Sequence, residues 1–246
     1  MMKIVIDGKV ILKAELDAWK LKRIKKVIRN LKLDLPFMND ADEMNKLLTD
    51  KKMQYSYQDM IRILRRKLKI GEIAMKFAGR ISGSRRRHAL TIIYIDGITA
   101  EKLSEFLDEL MLQPKGKYRK INLSACPDHY VLKPDKNGTL EVIETTGIAP
   151  VPVQFFITFG DEQGIREPRN KKYSHQSVGI AKLRDGTVIG GVRHQFKNTR
   201  AGVKVRLLVE FPAICPKGII REHEKHLATE FSNWIEWMID QQNDEL

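Results

Sequence analysis

The sequence predicts an α+β fold of the helix-grip type, in which a curved antiparallel sheet wraps a long C-terminal helix. Three observations predict it. The second half of the chain is rich in β-branched residues and carries hairpin signals at Asn137-Gly138 and Asp185-Gly186. Pro212 and Pro216 then break the sheet. Residues 218–240 follow as one helix, with Leu227, Phe231, Trp234, Ile235 and Met238 as its apolar stripe. Such a stripe must be buried, and a sheet that curves around it leaves a cavity between the two layers.

The elements read as follows. Residues 2–12 form a short strand and turn, broken at Asp7-Gly8. Residues 13–33 form a helix, with Leu16, Trp19, Ile24, Val27, Ile28 and Leu31 at helical spacing and Lys20, Lys22, Arg23, Lys25, Lys26 and Arg29 on the other face; Pro36 ends it. Residues 40–50 and 56–79 are further helices, and 82–87, with Arg85-Arg86-Arg87, is a loop. Residues 89–95 are an uncharged strand, Asp96-Gly97 is a turn, and Thr99 caps a helix over 100–112. Strands are expected at 129–134, 139–146, 153–160, 176–183, 187–196 and 202–211. This divides the chain into a basic helical N-terminal region, 1–88, and a helix-grip metal-binding domain, 89–246.

Composition narrows the function. The chain has 246 residues, enough for a substantial core. No run of about 18 apolar residues is present, which argues against a membrane-spanning helix. The segment Met1 to Val10 is too short and too broken by charge for a signal peptide. With two cysteines, Cys126 and Cys215, a disulfide framework is not expected, and the cytoplasm is the default compartment. The net charge of +13 is unevenly placed: residues 1–120 hold 28 Lys and Arg against 15 Asp and Glu, and residues 121–246 hold 16 of each. The basic excess lies in the first half, and the candidate metal ligands lie in the second.

Those ligands are the most specific signal. His226 and Glu230 are four residues apart on the final helix, so an imidazole and a carboxylate share one face, one turn apart. Pairs at this spacing also occur on solvated helices, but Leu227 and Phe231 flank this one directly. His129 and His194, on expected strands, extend the set to three His and one Glu, a plausible zinc shell. His223 competes with His226 but has Leu227, not an acid, four residues on. His175 reads as exposed, and His88, after three arginines, as electrostatic or structural. If Asp135 to Gly138 form the first hairpin loop, paired residues sum to 273 and His129 faces Glu144; a two-residue Asn137-Gly138 turn pairs His129 with Thr146 instead.

The order Gly97-Ile98-Thr99-Ala100-Glu101, Tyr118-Arg119-Lys120-Ile121, Pro127-Asp128-His129-Tyr130 and then His226/Glu230 with Phe231 and Asn233 resembles the diacetylphloroglucinol hydrolase and phloretin hydrolase family, over roughly residues 90–240. The resemblance implies a Bet v 1-like (START-like) helix-grip fold, a bound Zn2+, and hydrolysis of a carbon–carbon bond between an acyl group and a phenolic ring. It implies His129, His194, His226 and Glu230 as zinc ligands, with Glu144 the nearest match for an acid beside the metal. Glu144 or Glu230 would serve as base toward water, and Tyr130 or Tyr173 would supply or orient the proton for the ring carbon. Where the family has a tryptophan-rich helix face, this chain has Leu103, Phe106 and Leu107.

The expected partner is a small hydrophobic or phenolic substrate. The alternatives are a non-catalytic helix-grip module that binds a hydrophobic molecule, and a basic nucleic-acid-binding protein. Residues 13–33 offer a peripheral membrane contact, with Trp19 as interfacial anchor on an anionic surface. Nucleic acid is disfavoured, because aromatic residues are sparse among the arginines. A homodimer is left open.

Overall fold

The computed structural model describes residues 1–113 and 116–244. Among the described residues, nine antiparallel strands form one sheet: β1 (Met2–Ile6), β2 (Lys9–Ile11), β3 (Arg86–Asp96), β4 (His129–Pro134), β5 (Thr139–Glu144), β6 (Val153–Phe159), β7 (His175–Lys182), β8 (Val188–Asn198) and β9 (Gly202–Pro212). Their order is β2-β1-β3-β9-β8-β7-β6-β5-β4. The helices are α1 (Lys13–Leu31), α2 (Ala41–Met53), α3 (Tyr57–Ser82), α4 (Ala100–Leu112), α5 (Gly116–Ala125) and α6 (Lys217–Asp244). The helix-grip arrangement is therefore present, with α6 as the gripped helix.

One core lies between the sheet and α6, joining Ile93, Val205 and Leu207 to Leu227, Phe231 and Trp234. Each of these large side chains contributes about 2 kcal/mol through burial. A second core lies between α1–α3 and the other face of β4 and β5, and joins Ile24, Met44, Leu64, Tyr130, Val131 and Ile143. Residues from both halves of the chain thus share the sheet and the second core; β1 pairs with β3 along Met2–Ile6.

Local chemistry accounts for the helix starts. Asp40 accepts from the amides of Asp42 and Glu43, Ser56 and Asp59 cap each other reciprocally, and Thr99 accepts from the Lys102 amide. The Leu12 amide is satisfied by Glu15. α3 approaches the sheet closely at two glycines: a Cβ at Gly71 would lie 2.3 Å from Pro152 O, and one at Gly79 would lie 3.0 Å from Val188 O.

Some expectations change. Arg86 and Arg87 belong to β3, not to a loop, because β3 pairs with β9 from Arg86↔Pro212 to Asp96↔Gly202. α5 was not expected: it is short, polar along half its length, and held by packing on α2, β4 and α6 rather than by a periodic stripe of its own. Trp19 is buried, and its indole Nε1 donates to Glu222 at 2.7 Å. An anchor role for it in a membrane is therefore excluded in this fold.

The β4–β5 hairpin sets the site. Asp135 to Gly138 connect the strands, with Asp135 Oδ1 accepting from the amides of Asn137 and Thr139, but the Asp135 amide donates to Thr139 O, which shifts the register by one residue from the expected sum of 273. Most of its pairs sum to 274, from Val131↔Ile143 to Pro134↔Leu140, yet His129 still faces Glu144. A bulge at Tyr130 restores the register. It also lets Tyr130 and Val131 both join the helical-layer core while His129 turns toward α6.

Candidate metal centre

α6 brings His226 and Glu230 to one face, and the hairpin delivers His129 and Glu144 against them. His129 Nε2 lies 3.1 Å from His226 Nε2, 3.3 Å from Glu230 Oε1 and 3.8 Å from Glu144 Oε2. His226 Nε2 lies 3.7 Å from Glu144 Oε2 and 3.9 Å from Glu230 Oε2. Tetrahedral zinc with ligands at about 2.0–2.1 Å places neighbouring ligand atoms about 3.3 Å apart, so this spacing suits one ion.

The second atoms of the ligands are also arranged for the task. Asn122 O lies 2.7 Å from His129 Nδ1, which fixes that nitrogen as N–H and turns Nε2 inward. Cys126 Sγ lies 3.6 Å from His226 Nδ1. Among the described residues, no Lys or Arg pairs with Glu144 or Glu230. Two desolvated carboxylates whose basic partners are imidazoles alone are costly, and a cation between them and the two imidazoles relieves that cost. The donor set therefore fits a divalent metal. Two overlapping groups have metal-holding geometry, Cys126 with His129 and His226, and Glu144 with His223 and His226.

Electrostatics show the strain of holding these groups together. Burial pushes the Glu144 carboxyl up to about 8, reinforced by Glu230 and opposed by His129. Burial opposes charge on His129, but the Glu230 and Glu144 carboxylates outweigh it and raise its pKa. Burial, helped by His223 and His129, drives His226 well down. The Asn122 carbonyl accepts from His129 Nδ1, which leaves Nε2 directed at His226 and Glu230.

Glu144 and Glu230 face a cavity of about 110 Å³ between the sheet and α6. That is room for a small molecule rather than one water. The walls are mainly apolar, with Leu140, Val142, Phe155, Val192, Phe196, Leu227 and Phe231; Met75 of α3 and Leu107 and Met111 of α4 close the sides. Two further histidines line it. His194 and His223 are both driven down to about 3 by burial, so they are neutral. Each has a buried Nδ1 with no hydrogen-bond partner among the described residues.

The structure thus brings together His129, Glu144, His226 and Glu230. His194 is edge-on to Phe231 with ring centroids 4.9 Å apart; neither it nor Glu230 belongs to the two metal-holding groups, but Glu230 Oε1 lies 3.3 Å from His129 Nε2. Tyr130 points away from the cavity: Asn30 Nδ2 donates to its hydroxyl at 2.8 Å, and Thr145 Oγ1 lies 3.2 Å away. Tyr173 lies beside Lys197, Lys204 and Tyr94 rather than on the cavity wall. Neither tyrosine reaches the metal cluster. His175 Nε2 lies 3.0 Å from Glu101.

Sequence reasoning missed the support behind His129. Arg23 of α1 makes a bidentate pair with Asp128, Nε to Oδ2 at 2.7 Å and Nη2 to Oδ1 at 2.8 Å, and both residues are buried. Lys52 of α2 is wholly buried and donates to Pro127 O and His129 O, both at 2.7 Å. Asn45 of α2 donates to Ser124 O and Asn233 of α6 to Ala125 O. One basic residue from each of α1 and α2, Arg23 and Lys52, thus clamps residues 127–129. Lone Asp128 beside His129 was the one available signal, since a buried acid demands a cation.

No protein-family model matches the chain, and no curated protein matches it. Among solved structures it is similar to Ara h 8.0201, a Bet v 1 homologue, at 9% identity and a TM-score of 0.41, covering 63% of this chain and 99% of that one. It is also similar to a protein from Rhizobium leguminosarum (14% identity, TM-score 0.35, 63% of this chain and 97% of that one) and to protein Ms6760 from Mycobacterium smegmatis (11%, 0.33, 61% and 87%).

Proposed function

We propose that the chain is a metal-dependent hydrolase that cleaves the carbon–carbon bond between an acyl group and a phenolic ring. The observation that carries this reading is the convergence of His129, Glu144, His226 and Glu230 at the polar end of an otherwise apolar cavity. A zinc ion held by His129, His226 and one of the two carboxylates would keep an open position, in which it would polarise a substrate carbonyl and acidify a water molecule. The other carboxylate, Glu144 or Glu230, both of which face the cavity, would accept the water proton as the water oxygen bonds to the carbonyl carbon. The bond from that carbon to the ring then breaks, and its electron pair takes a proton at the ring carbon. His194 and His223 replace Tyr130 as the groups placed to relay that proton and to hold a phenolic hydroxyl. The apolar walls exclude bulk water and orient the ring.

The apolar lining also favours a second reading, a helix-grip module that binds a hydrophobic molecule without turnover. The two are separated by incubating zinc-loaded protein with a panel of acylated phenols and following release of the carboxylic acid and free phenol by chromatography. Turnover that is lost in Glu230→Gln supports the hydrolase. Saturable binding of the panel with no product, from metal-loaded protein, favours the binding module.

A further inference from the structure

α3 has an apolar stripe on its solvent side. Ile70, Ile73, Phe77 and Ile81 are 56%, 60%, 62% and 49% exposed. Their spacing of three, four and four residues puts them on one helix face. The opposite face is the packed one, where Gly71 and Gly79 meet the sheet and Met75 reaches the cavity. At the C-terminal end the stripe continues into exposed Ile214, whose amide donates to Ser82 Oγ at 3.2 Å.

The surroundings of the stripe are basic. From Met60 to Ser82 the helix carries seven Lys and Arg against one acid, Glu72. Arg65, Arg66, Lys69 and Arg80 are exposed. Arg85 extends the series beyond the helix. α1 lacks this combination: its periodic apolar residues Leu16, Trp19, Ile24 and Val27 are all buried. Four large exposed apolar side chains in register are more than the scattered apolar residues of an ordinary surface, and mark an interaction face.

We infer that this face of α3 docks on an anionic lipid surface. An apolar ridge with cationic borders matches the hydrocarbon boundary and the phosphate headgroups together. A second copy of the chain is a poor occupant, since face-to-face contact would set Arg65, Arg66, Lys69 and Arg80 of each copy against the other. Duplex DNA would use the charges and leave the Ile and Phe ridge without a partner. Docking would bring the helix that borders the cavity against the membrane, so that an apolar substrate dissolved in lipid meets the protein there. The inference stands whether or not the hydrolase reading holds.

The test is co-sedimentation of the full chain with vesicles of phosphatidylcholine alone and of phosphatidylcholine containing phosphatidylglycerol. Binding should favour the anionic vesicles and weaken with salt. The double variant Ile73→Ser/Phe77→Ser should lose it, while keeping the wild-type circular dichroism spectrum, because both side chains are in solvent. Arg66→Glu should weaken binding to anionic vesicles by about fivefold or more. Equal binding to both vesicle types, or unchanged binding by the double variant, would overturn the inference. So would a concentration-dependent dimer, or retention on duplex DNA in place of vesicles, that accounts for the surface instead.

Discussion

The two faces of the β4–β5 hairpin carry similar numbers of ionisable and polar groups, yet they treat them oppositely. On the helical-layer side, the ionisable groups have protein partners: Asp128 has Arg23, Lys52 has two carbonyls, and Tyr130 has Asn30 and Thr145, while Asn45 Oδ1, Thr49 Oγ1 and Asn122 Oδ1 have none among the described residues. On the α6 side, two carboxylates and two imidazoles converge without a Lys or Arg, and His194 and His223 each keep an Nδ1 without a partner, among the described residues. The contrast separates structural polarity from functional polarity. A satisfied network fixes the backbone of residues 126–129, and the unsatisfied one is what that rigidity holds in place.

The largest expected effect breaks the satisfied side. Arg23→Ala leaves Asp128 buried and unpaired, and should cost about 3–5 kcal/mol in urea unfolding. On the other side, Glu144→Gln should leave the metal-free fold at least as stable, because it removes one of two carboxylates that crowd the cluster. The same variant should weaken metal binding by about 100-fold or more, read by competition with a chromophoric chelator. If Glu144→Gln instead destabilised the metal-free protein as severely as Arg23→Ala, the two faces would not differ in the way described.

A finer probe is Tyr130→Phe. It removes one hydroxyl from the satisfied side and should cost about 1 kcal/mol, with metal content unchanged. Loss of metal or of turnover in that variant would return Tyr130 to the site. The smallest effect lies outside both networks. Glu101 is held down at about 2, chiefly by Asn198 and also by Thr99 and His175. Its folded pKa is depressed, so its contribution is present above the usual glutamate range and lost as pH falls from about 4.5 toward 2. Glu101→Gln should slightly flatten the acid limb of the stability profile over that window and change nothing near neutral pH.

What the sequence made legible was local. The strands, their hairpin turns and the stripe of α6 follow from periodicities within a single element, and the His226/Glu230 pair follows from one helical turn. His129 faces Glu144 as a four-residue loop would have it, but for another reason: the hairpin register is one residue off that expectation and the bulge at Tyr130 offsets it. Contacts between distant segments were not legible. Arg23 and Asp128 are 105 residues apart, and Lys52 and His129 are 77 apart, and nothing in either neighbourhood names the other. Trp19 illustrates a different limit. An amphipathic basic helix has the same pattern whether its apolar stripe faces a core or a lipid surface, and α1 buries its stripe where α3 leaves one exposed.

The claim that the α6 side of the hairpin is a metal centre is tested most directly by elemental mass spectrometry of the purified chain after zinc is supplied and excess removed. The account predicts about one zinc per chain, lost in Glu230→Gln while the circular dichroism spectrum is kept. A wild-type chain that retains no metal, or a Glu230→Gln variant that retains it in full, would contradict the account.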